Sequence, residues 1–281
     1  NYLIRKTASF YIEFFRNVPL LLQIFFWYFA ALRALPMPQD ATMILGSSFM
    51  TIKGFFTPAP IWTNFDVFFT TLIIAIILVF FFVKFAKKKQ EQEGKQLPVL
   101  IISLAIFIGL PLLTFLVGGV DLSFSFPELR KMSQSSYTFD GGMGIPPELI
   151  ALTLALTLYT ATFIAENVRA GIQGIGKGQK EAAASIGLTP SQVLKLVIMP
   201  QALRIIIPPT TNQYLNLTKN SSLAAAIAYP DLVLVFAGTA MMQTGKAIEI
   251  VGITMATYLT ISIAISLLMN WYNQRIAIKE K

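Results

Sequence analysis

The sequence predicts an all-α polytopic membrane protein with about six transmembrane helices. Of its 281 residues, 55% are hydrophobic and only 13% are charged, whereas about 25% of the residues of an average soluble domain are charged. Six apolar stretches are long enough to cross the roughly 30 Å hydrocarbon core of a bilayer. The basic residues lie in short clusters between these stretches, which is the pattern of the positive-inside rule.

The N-terminal part predicts a surface helix followed by a first span. In residues 2–16, aromatic and basic side chains alternate, which is typical of a helix lying at the membrane interface. Residues 17–34 are apolar apart from Gln23 and Arg33, and Pro19 stands near the start, where a helix tolerates proline. We therefore predict the first span at 17–34.

The rest of the chain predicts five more spans. Three of them are uncharged apolar runs, at 67–83, 98–117 and 149–165, and the last lies at 250–271. Residues 203–229 predict an interrupted span, because Pro208-Pro209 and a polar run around residues 216–222 break the apolar pattern. We predict loops at 35–65, 118–147 and 230–249 from their Pro, Gly, Ser and Thr content.

The basic clusters agree on one topology. If the basic residues of 2–16 face the cytoplasm, alternation through six spans brings the clusters at 84–95, 177–204 and 275–281 to the same side. The long loops that carry few charges then face outward. The formal charge of +8 is therefore explained by membrane topology, and we predict no nucleic-acid partner.

The composition also restricts the chemistry. The sequence has no cysteine and no histidine, which excludes disulfides, most zinc sites and the usual general base. It has no complete Gly-x-x-x-x-Gly-Lys-Ser/Thr phosphate loop. We predict no catalytic residue, no metal site and no cofactor bound by this chain.

Residues 178–204 predict a polar helical hairpin between apolar spans. An Ala-rich helix at 181–186 is followed by Gly187, which suits the left-handed position that ends a helix. Thr189 can cap a second helix that begins at Pro190, and we expect this helix to stop by Pro208. A DNA-binding helix-turn-helix is disfavoured, because the second helix is mostly apolar, whereas a recognition helix offers polar and basic side chains.

The hairpin resembles the EAA loop of permease subunits of ATP-binding-cassette importers. The resemblance is carried by Glu181-Ala182-Ala183, Gly187 and Val197-Ile198-Met199-Pro200, with Met199 where the family usually has leucine. Residues 14–23, 165–172 and 213–223 resemble the polar and general L-amino-acid importer permeases. The resemblance covers residues 7–35 and 148–278. It implies the type I importer permease fold, a single transmembrane permease domain over 1–281, and the bacterial inner membrane as location.

The resemblance also implies the partners. Two separate ATPase subunits would bind ATP and Mg, and the hairpin would dock in a cleft of one of them. The implied docking residues are Glu181, Ala182, Ala183, Ala184, Gly187 and Leu188. A periplasmic amino-acid-binding protein and a second permease are the other partners, with a related but distinct chain expected for the latter and a second copy as the alternative. Lipid surrounds the spans.

Two departures from the family pattern concern the N-terminal end and the middle of the chain. Family members normally carry another span before residue 14, so we expect an N-terminal span to be missing from this sequence. Residues 36–147 are an expected insertion of two extra transmembrane helices and two extracytoplasmic loops, present in the larger general-amino-acid type. It would serve as a structural collar or contact the binding protein.

Polar residues at membrane depth are the candidates for the substrate pathway, because each costs free energy there unless it is paired or hydrated. They are Gln23, Asn216, Lys219, Asn220, Ser221 and Ser222. Lys219 would bind a substrate carboxylate, or instead pair with an acid such as Glu166 or extend to the interface. Gln23 would line the pathway or only join two helices. Glu166 and Arg169, three residues apart, would form a gate or a plain interfacial ion pair.

These observations predict the membrane-spanning permease subunit of an ATP-driven amino-acid importer. An ion-coupled secondary amino-acid transporter is the alternative, although few acidic residues lie within the spans. A membrane scaffold without transport function is a third hypothesis, and a charged lysine at membrane depth argues against it.

Overall fold

The computed structural model of the chain describes residues 2–94, 96–117, 121–133 and 136–276. Expectations for Lys95, Gly118, Gly119 and residues 277–281 lie outside the described residues. The helices are α1 Tyr2–Asn17, α2 Leu20–Ala34, α3 Phe65–Glu93, α4 Val99–Val117, α5 Pro147–Gln173, α6 Lys177–Ser185, α7 Pro190–Ile227, α8 Val233–Thr244 and α9 Ala247–Ile276. A short 3₁₀ turn lies at Pro38–Asp40. The strands are β1 Met43–Ile44, β2 Ser48–Thr51, β3 Gly54–Thr57, β4 Ala59–Thr63, β5 Asp121–Ser125, β6 Glu128–Lys131, β7 Tyr137–Asp140 and β8 Met143–Ile145.

The predicted membrane-spanning architecture is confirmed. Five helices over the described residues, α3, α4, α5, α7 and α9, are long and apolar enough to cross a membrane. The predicted span at 17–34 corresponds to α2. It makes a sixth span only together with α1, to which it is joined by a bend of 102°.

Helix α7 corrects the expectation about where the second helix of the hairpin ends. The helix does not stop by Pro208, because it continues through Pro208 and Pro209 to Asn220. Prolines are tolerated in membrane helices when side-chain hydroxyls help to satisfy the freed backbone groups. The carbonyls that Pro208 and Pro209 free belong to Arg204 and Ile205. The hydroxyls of Thr210 and Thr211 donate one turn later, to the carbonyls of Ile206 at 2.7 Å and Ile207 at 3.0 Å.

The break in α7 lies instead at the polar run after residue 216. There the α-helix changes to a 3₁₀-helix over Ser221–Ile227, which ends at Ala228 in the left-handed region with φ +57°. The predicted loop at 230–249 is also wrong in part, because Val233–Thr244 forms α8. Asp231 begins this helix by accepting the backbone N–H of Leu234 at 2.9 Å.

The chain divides into two compact units. The first contains Asn1–Met37, Thr51–Gly54 and Ile145–Lys281, and the second contains Pro38–Met50 and Phe55–Gly144. In the second unit, α3 packs against α4 with Ala75 fully buried. The insertion predicted over 36–147 stays a prediction.

Short strands form where the sequence predicted only loops. One sheet has the order β1-β2-β3-β8, and antiparallel pairs join β4 to β5 and β6 to β7. Thr63 pairs with Asp121, which lies in the other predicted loop. The exposed Arg130 side chain donates to Asp140 at 2.7 Å, and this hydrogen bond, together with the N–H of Gly141, holds the pKa of the Asp140 carboxyl below its usual value.

Candidate functional site

The hairpin forms as the sequence predicts around its turn. Gly187 has φ +82°, and its N–H donates to the carbonyl of Ala184 at 3.0 Å. Thr189 and Gln192 form a capping box, in which the Thr189 N–H donates to the Gln192 Oε1 at 2.9 Å. The chain therefore reverses sharply between α6 and α7, and the reversal is fixed by local hydrogen bonds.

The structure divides the six predicted docking residues into two groups. Ala183 is 5% exposed and belongs to the core, and Leu188 packs against the same core. The remaining four are exposed, and so is Ile186, with 76% of its surface accessible. We define the hairpin tip as Glu181, Ala182, Ala184, Ile186 and Gly187.

Sequence reasoning missed Ile186 as an exposed apolar residue. Helical spacing from Ala183 to Ile186 would place both on the same buried face. The helix ends at Ser185, however, and the turn directs Ile186 outward. An exposed isoleucine beside small alanines makes the hairpin tip a small apolar contact surface.

An apolar cluster beneath the hairpin tip connects it to the spans. Its buried members are Ile175, Ala183, Val193, Ile198, Ala202 and Ile206. Helices α5 and α7 meet closely there, since a Cβ added to Gly171 would lie 2.3 Å from Cγ1 of Ile206. Because packed interiors deform little, a displacement of the tip would be passed on to α5 and α7.

Glu166 and Arg169 form an ion pair on α5. Arg16 of α1 lies close enough to act on the Glu166 carboxylate, and these three side chains help to line a pocket of about 190 Å³ between α1 and α5. Glu166 is thus bonded to Arg169 and does not pair with Lys219. The pair lies within α5, near the end of the helix that leads into the hairpin.

Gln23 lies at the bend between α1 and α2. Its side chain is 5% exposed, and its Nε2 donates to the carbonyls of Phe15 at 2.8 Å and Val18 at 2.9 Å. These carbonyls belong to the end of α1 and the turn after it, where helical partners are missing. Gln23 lines neither of the pockets described below, and its contacts support the helix-joining alternative.

We predict that Gln23→Leu lowers the free energy of unfolding by about 1–3 kcal/mol, because two partly buried carbonyls lose their donor. Thermal unfolding of the purified protein would measure the change. Gln90→Leu, at the exposed end of α3, is the matched control. Equal unfolding temperatures for the two variants would contradict the role assigned to Gln23.

The other pathway candidates separate onto two faces of α7. Asn216 and Asn220 line a pocket of about 310 Å³ against α5, which we call the α5–α7 pocket. Lys219 and Ser222 line a pocket of about 360 Å³ against α8 and α9, which we call the Lys219 pocket. Ser221 interacts with Tyr258 at the edge of the latter. The predicted set is therefore not one cluster.

Two residues of α9 in the Lys219 pocket were missed. Thr254 and Tyr258 line it, and no sequence feature distinguished them, because several other Thr and Ser residues lie in the same span. The pocket walls are completed by Val233 and Met255. Polar groups from α7 and α9 thus meet at one place.

Residues 65–278 match the family described as binding-protein-dependent transport system inner membrane component. The putative amino-acid ABC transporter permease protein YhdX of Escherichia coli is 51% identical, over 100% of this chain and 70% of that protein. The general L-amino acid transport system permease protein AapQ of Rhizobium johnstonii is 47% identical, over 100% of this chain and 69% of its own length. The glutamate/glutamine/aspartate/asparagine transport system permease protein BztB of Rhodobacter capsulatus is 38% identical, over 100% of this chain and 72% of its own length.

Proposed function

Because the chain belongs to the family of binding-protein-dependent transport system inner membrane components, we propose that it carries amino acids across a bacterial inner membrane as one permease subunit of an ATP-driven importer. Its relatives along the whole chain are permeases named for amino-acid transport. This membership favours the ATP-driven importer over an ion-coupled carrier.

The observation that carries the proposal is the exposed hairpin tip on its buried cluster. Ala182 and Ala184 are small and allow close approach of another protein, while Ile186 offers apolar surface. Ala183 and Leu188 connect the tip to the cluster shared with α5 and α7. This arrangement suits a contact that receives movement from an ATPase subunit and transmits it to the spans.

The energy source is proposed to be a separate subunit. Gly171 to Gly178 approach the phosphate-loop pattern, with Gly178 in place of the final Ser or Thr. Gly171 lies inside α5 and packs against Ile206, so this stretch is not a phosphate-binding loop. Two ATPase subunits with ATP and Mg, a second permease and a periplasmic amino-acid-binding protein would complete the importer.

The test is ATP hydrolysis by the purified complex in lipid vesicles, with and without binding protein loaded with a mixture of L-amino acids. We expect loaded binding protein to stimulate hydrolysis, and Glu181→Ala to weaken the stimulation because the charge of the hairpin tip is lost. Glu249→Gln, an exposed carboxylate at the start of α9, is the control. Uptake driven by a proton or sodium gradient without ATP would overturn the proposal.

A further inference from the structure

The pair of helices α3 and α4 exposes nearly all of its apolar surface. In the most apolar stretch of either helix, only 6% of the residues are buried. Ala75 and Ala86 are buried and mark the side of α3 that packs against α4. The opposite side of α3, which we call its outward side, carries exposed apolar side chains that include Ile77 and Phe81. In a membrane helix, such a side is a surface for lipid.

Helix α3 extends beyond α4 at one end, because it has 29 residues and α4 has 19. The rings of Phe68 and Phe115 contact each other, with centroids 5.6 Å apart. Counting from this contact along the two antiparallel helices places Val99, where α4 begins, level with Lys84. Residues 85–93 of α3 extend about 14 Å past that level. Lys84 therefore marks the boundary between the apolar and the polar part of α3.

Four lysines at this boundary lie on two sides of the helix. Lys84 and Lys88 are exposed, lie one turn apart on the outward side, and are joined there by the exposed Lys87. Lys89 is partly buried on the side of α4, and its Nζ lies 4.0 Å from Oε2 of Glu93. No ion pair joins the three exposed lysines to an acid within the described ranges. Their charges are therefore open to an anionic ligand.

The position of Lys84 relates this charge to the bilayer. Its Nζ lies 4.5 Å from the ring centroid of Phe80, one turn back into the apolar part of α3. The ammonium group thus lies where the apolar surface ends, which is the level of the lipid head groups. By the positive-inside rule the lysines face the cytoplasm, and the cytoplasmic surface of a membrane is negatively charged.

We propose that Lys84, Lys87 and Lys88 bind the phosphate group of an anionic phospholipid whose acyl chains lie along Ile77 and Phe81. Three cations without an acidic partner complement a phosphate, and basic clusters directly cytoplasmic of a membrane helix are typical of such sites. The exposed apolar side chains favour a lipid over a free phosphate, which has no part to cover them. The bound lipid would hold the α3–α4 pair in the cytoplasmic leaflet, a role beyond the transport proposed above and independent of it.

The first test measures how tightly the purified chain, with the subunits that copurify, binds phosphatidylglycerol in a neutral detergent. Native mass spectrometry counts the bound lipid. The double variant Lys84→Gln with Lys88→Gln removes two charges from the outward side. We expect its dissociation constant to rise about 25-fold, since each basic residue near anionic lipid contributes about fivefold.

The matched control is Lys89→Gln with Lys246→Gln. It removes the same number of charges, one from the partly buried side of α3 and one from the exposed segment between α8 and α9. We expect its dissociation constant to equal that of the wild type. Equal binding of phosphatidylglycerol by the two double variants would overturn the proposal.

The second test needs no variant. The wild-type protein with bound phosphatidylglycerol is moved from about 0.1 M to about 1 M salt, which shortens the Debye length from about 10 Å to about 3 Å. Because the three lysines are exposed, we expect most of this lipid to be released, whereas zwitterionic phosphatidylcholine is unaffected. Glycerol phosphate, which has the phosphate but no acyl chains, should displace little phosphatidylglycerol at low salt.

The second test decides even where the lysine variant does not assemble. Phosphatidylcholine bound as tightly as phosphatidylglycerol, with no effect of salt, would show that the lysines do not select the lipid. Displacement by glycerol phosphate as strong as by phosphatidylglycerol would make free phosphate the ligand. Either outcome would overturn the lipid site. Neither measurement uses ATP or an amino acid, so the proposed function stands or fails separately.

Discussion

Gly187→Leu is expected to reduce coupled uptake strongly while the subunits still assemble. Gly187 lies in the hairpin tip with φ +82°, and nothing lies within 4 Å of the position of an added Cβ. The first atom of a side chain there has open space, and we expect the leucine to project into the surface that we propose for ATPase docking. Uptake should fall about tenfold or more, corresponding to a loss of 1.4 kcal/mol or more at the contact.

Backbone strain must be separated from the loss of docking, because a side chain at positive φ costs free energy wherever it stands. Gly245→Leu is the matched control, since Gly245 has φ +67° and equally open surroundings but ends α8, away from the hairpin. We measure uptake and copurification of the ATPase for both variants. Normal uptake by Gly187→Leu, with normal assembly, would refute docking through the tip.

Gly171→Val is expected to prevent folding or to lower stability severely. The added Cβ would lie 2.3 Å from Cγ1 of Ile206 and 3.2 Å from the carbonyl oxygen of Ala202. Helices α5 and α7 would have to separate beneath the hairpin. Overpacking of this kind costs about 1–3 kcal/mol, and a branched residue at so short a distance belongs at the upper end.

The measurements are the yield of monodisperse protein and its thermal unfolding temperature. Gly252→Val is the control, because Gly252 also lies in a membrane helix and has nothing within 4 Å. In a Gly171→Ala background, Ile206→Ala removes the atoms that clash, so the pair should be less destabilising than the sum of the single changes. Two outcomes would contradict the close contact of α5 with α7. One is that the stability changes of Gly171→Ala and Ile206→Ala add exactly, and the other is that Gly171→Val is as stable as Gly252→Val.

The sequence predicted the features that depend on composition and on neighbouring residues. Long uncharged runs predicted α3 and α4, because a bilayer requires about 20 apolar residues whatever the rest of the chain does. The turn at Gly187 and the cap at Thr189 were predicted from neighbouring residues, because their hydrogen bonds join residues at most five positions apart.

Only the tertiary structure decided the features that depend on distant residues. The pairing of β4 with β5 joins segments about 60 residues apart, and short strands without a strong alternating pattern give no local signal of their partner. The continuation of α7 through Pro208 and Pro209 likewise went against local propensity. In membrane proteins, packing against neighbouring helices and local backbone adjustment can override the local propensity at proline.

The candidate site shows the same division. The sequence identified Lys219 and Ser222 as polar residues in an apolar setting, and it identified the residues of the hairpin turn. It did not show that Asn216 and Lys219 face different pockets, or that Ala183 is buried while Ile186 is exposed. Residue type and spacing determine which groups are costly in a membrane, but the packing of α5, α7, α8 and α9 determines which of them meet.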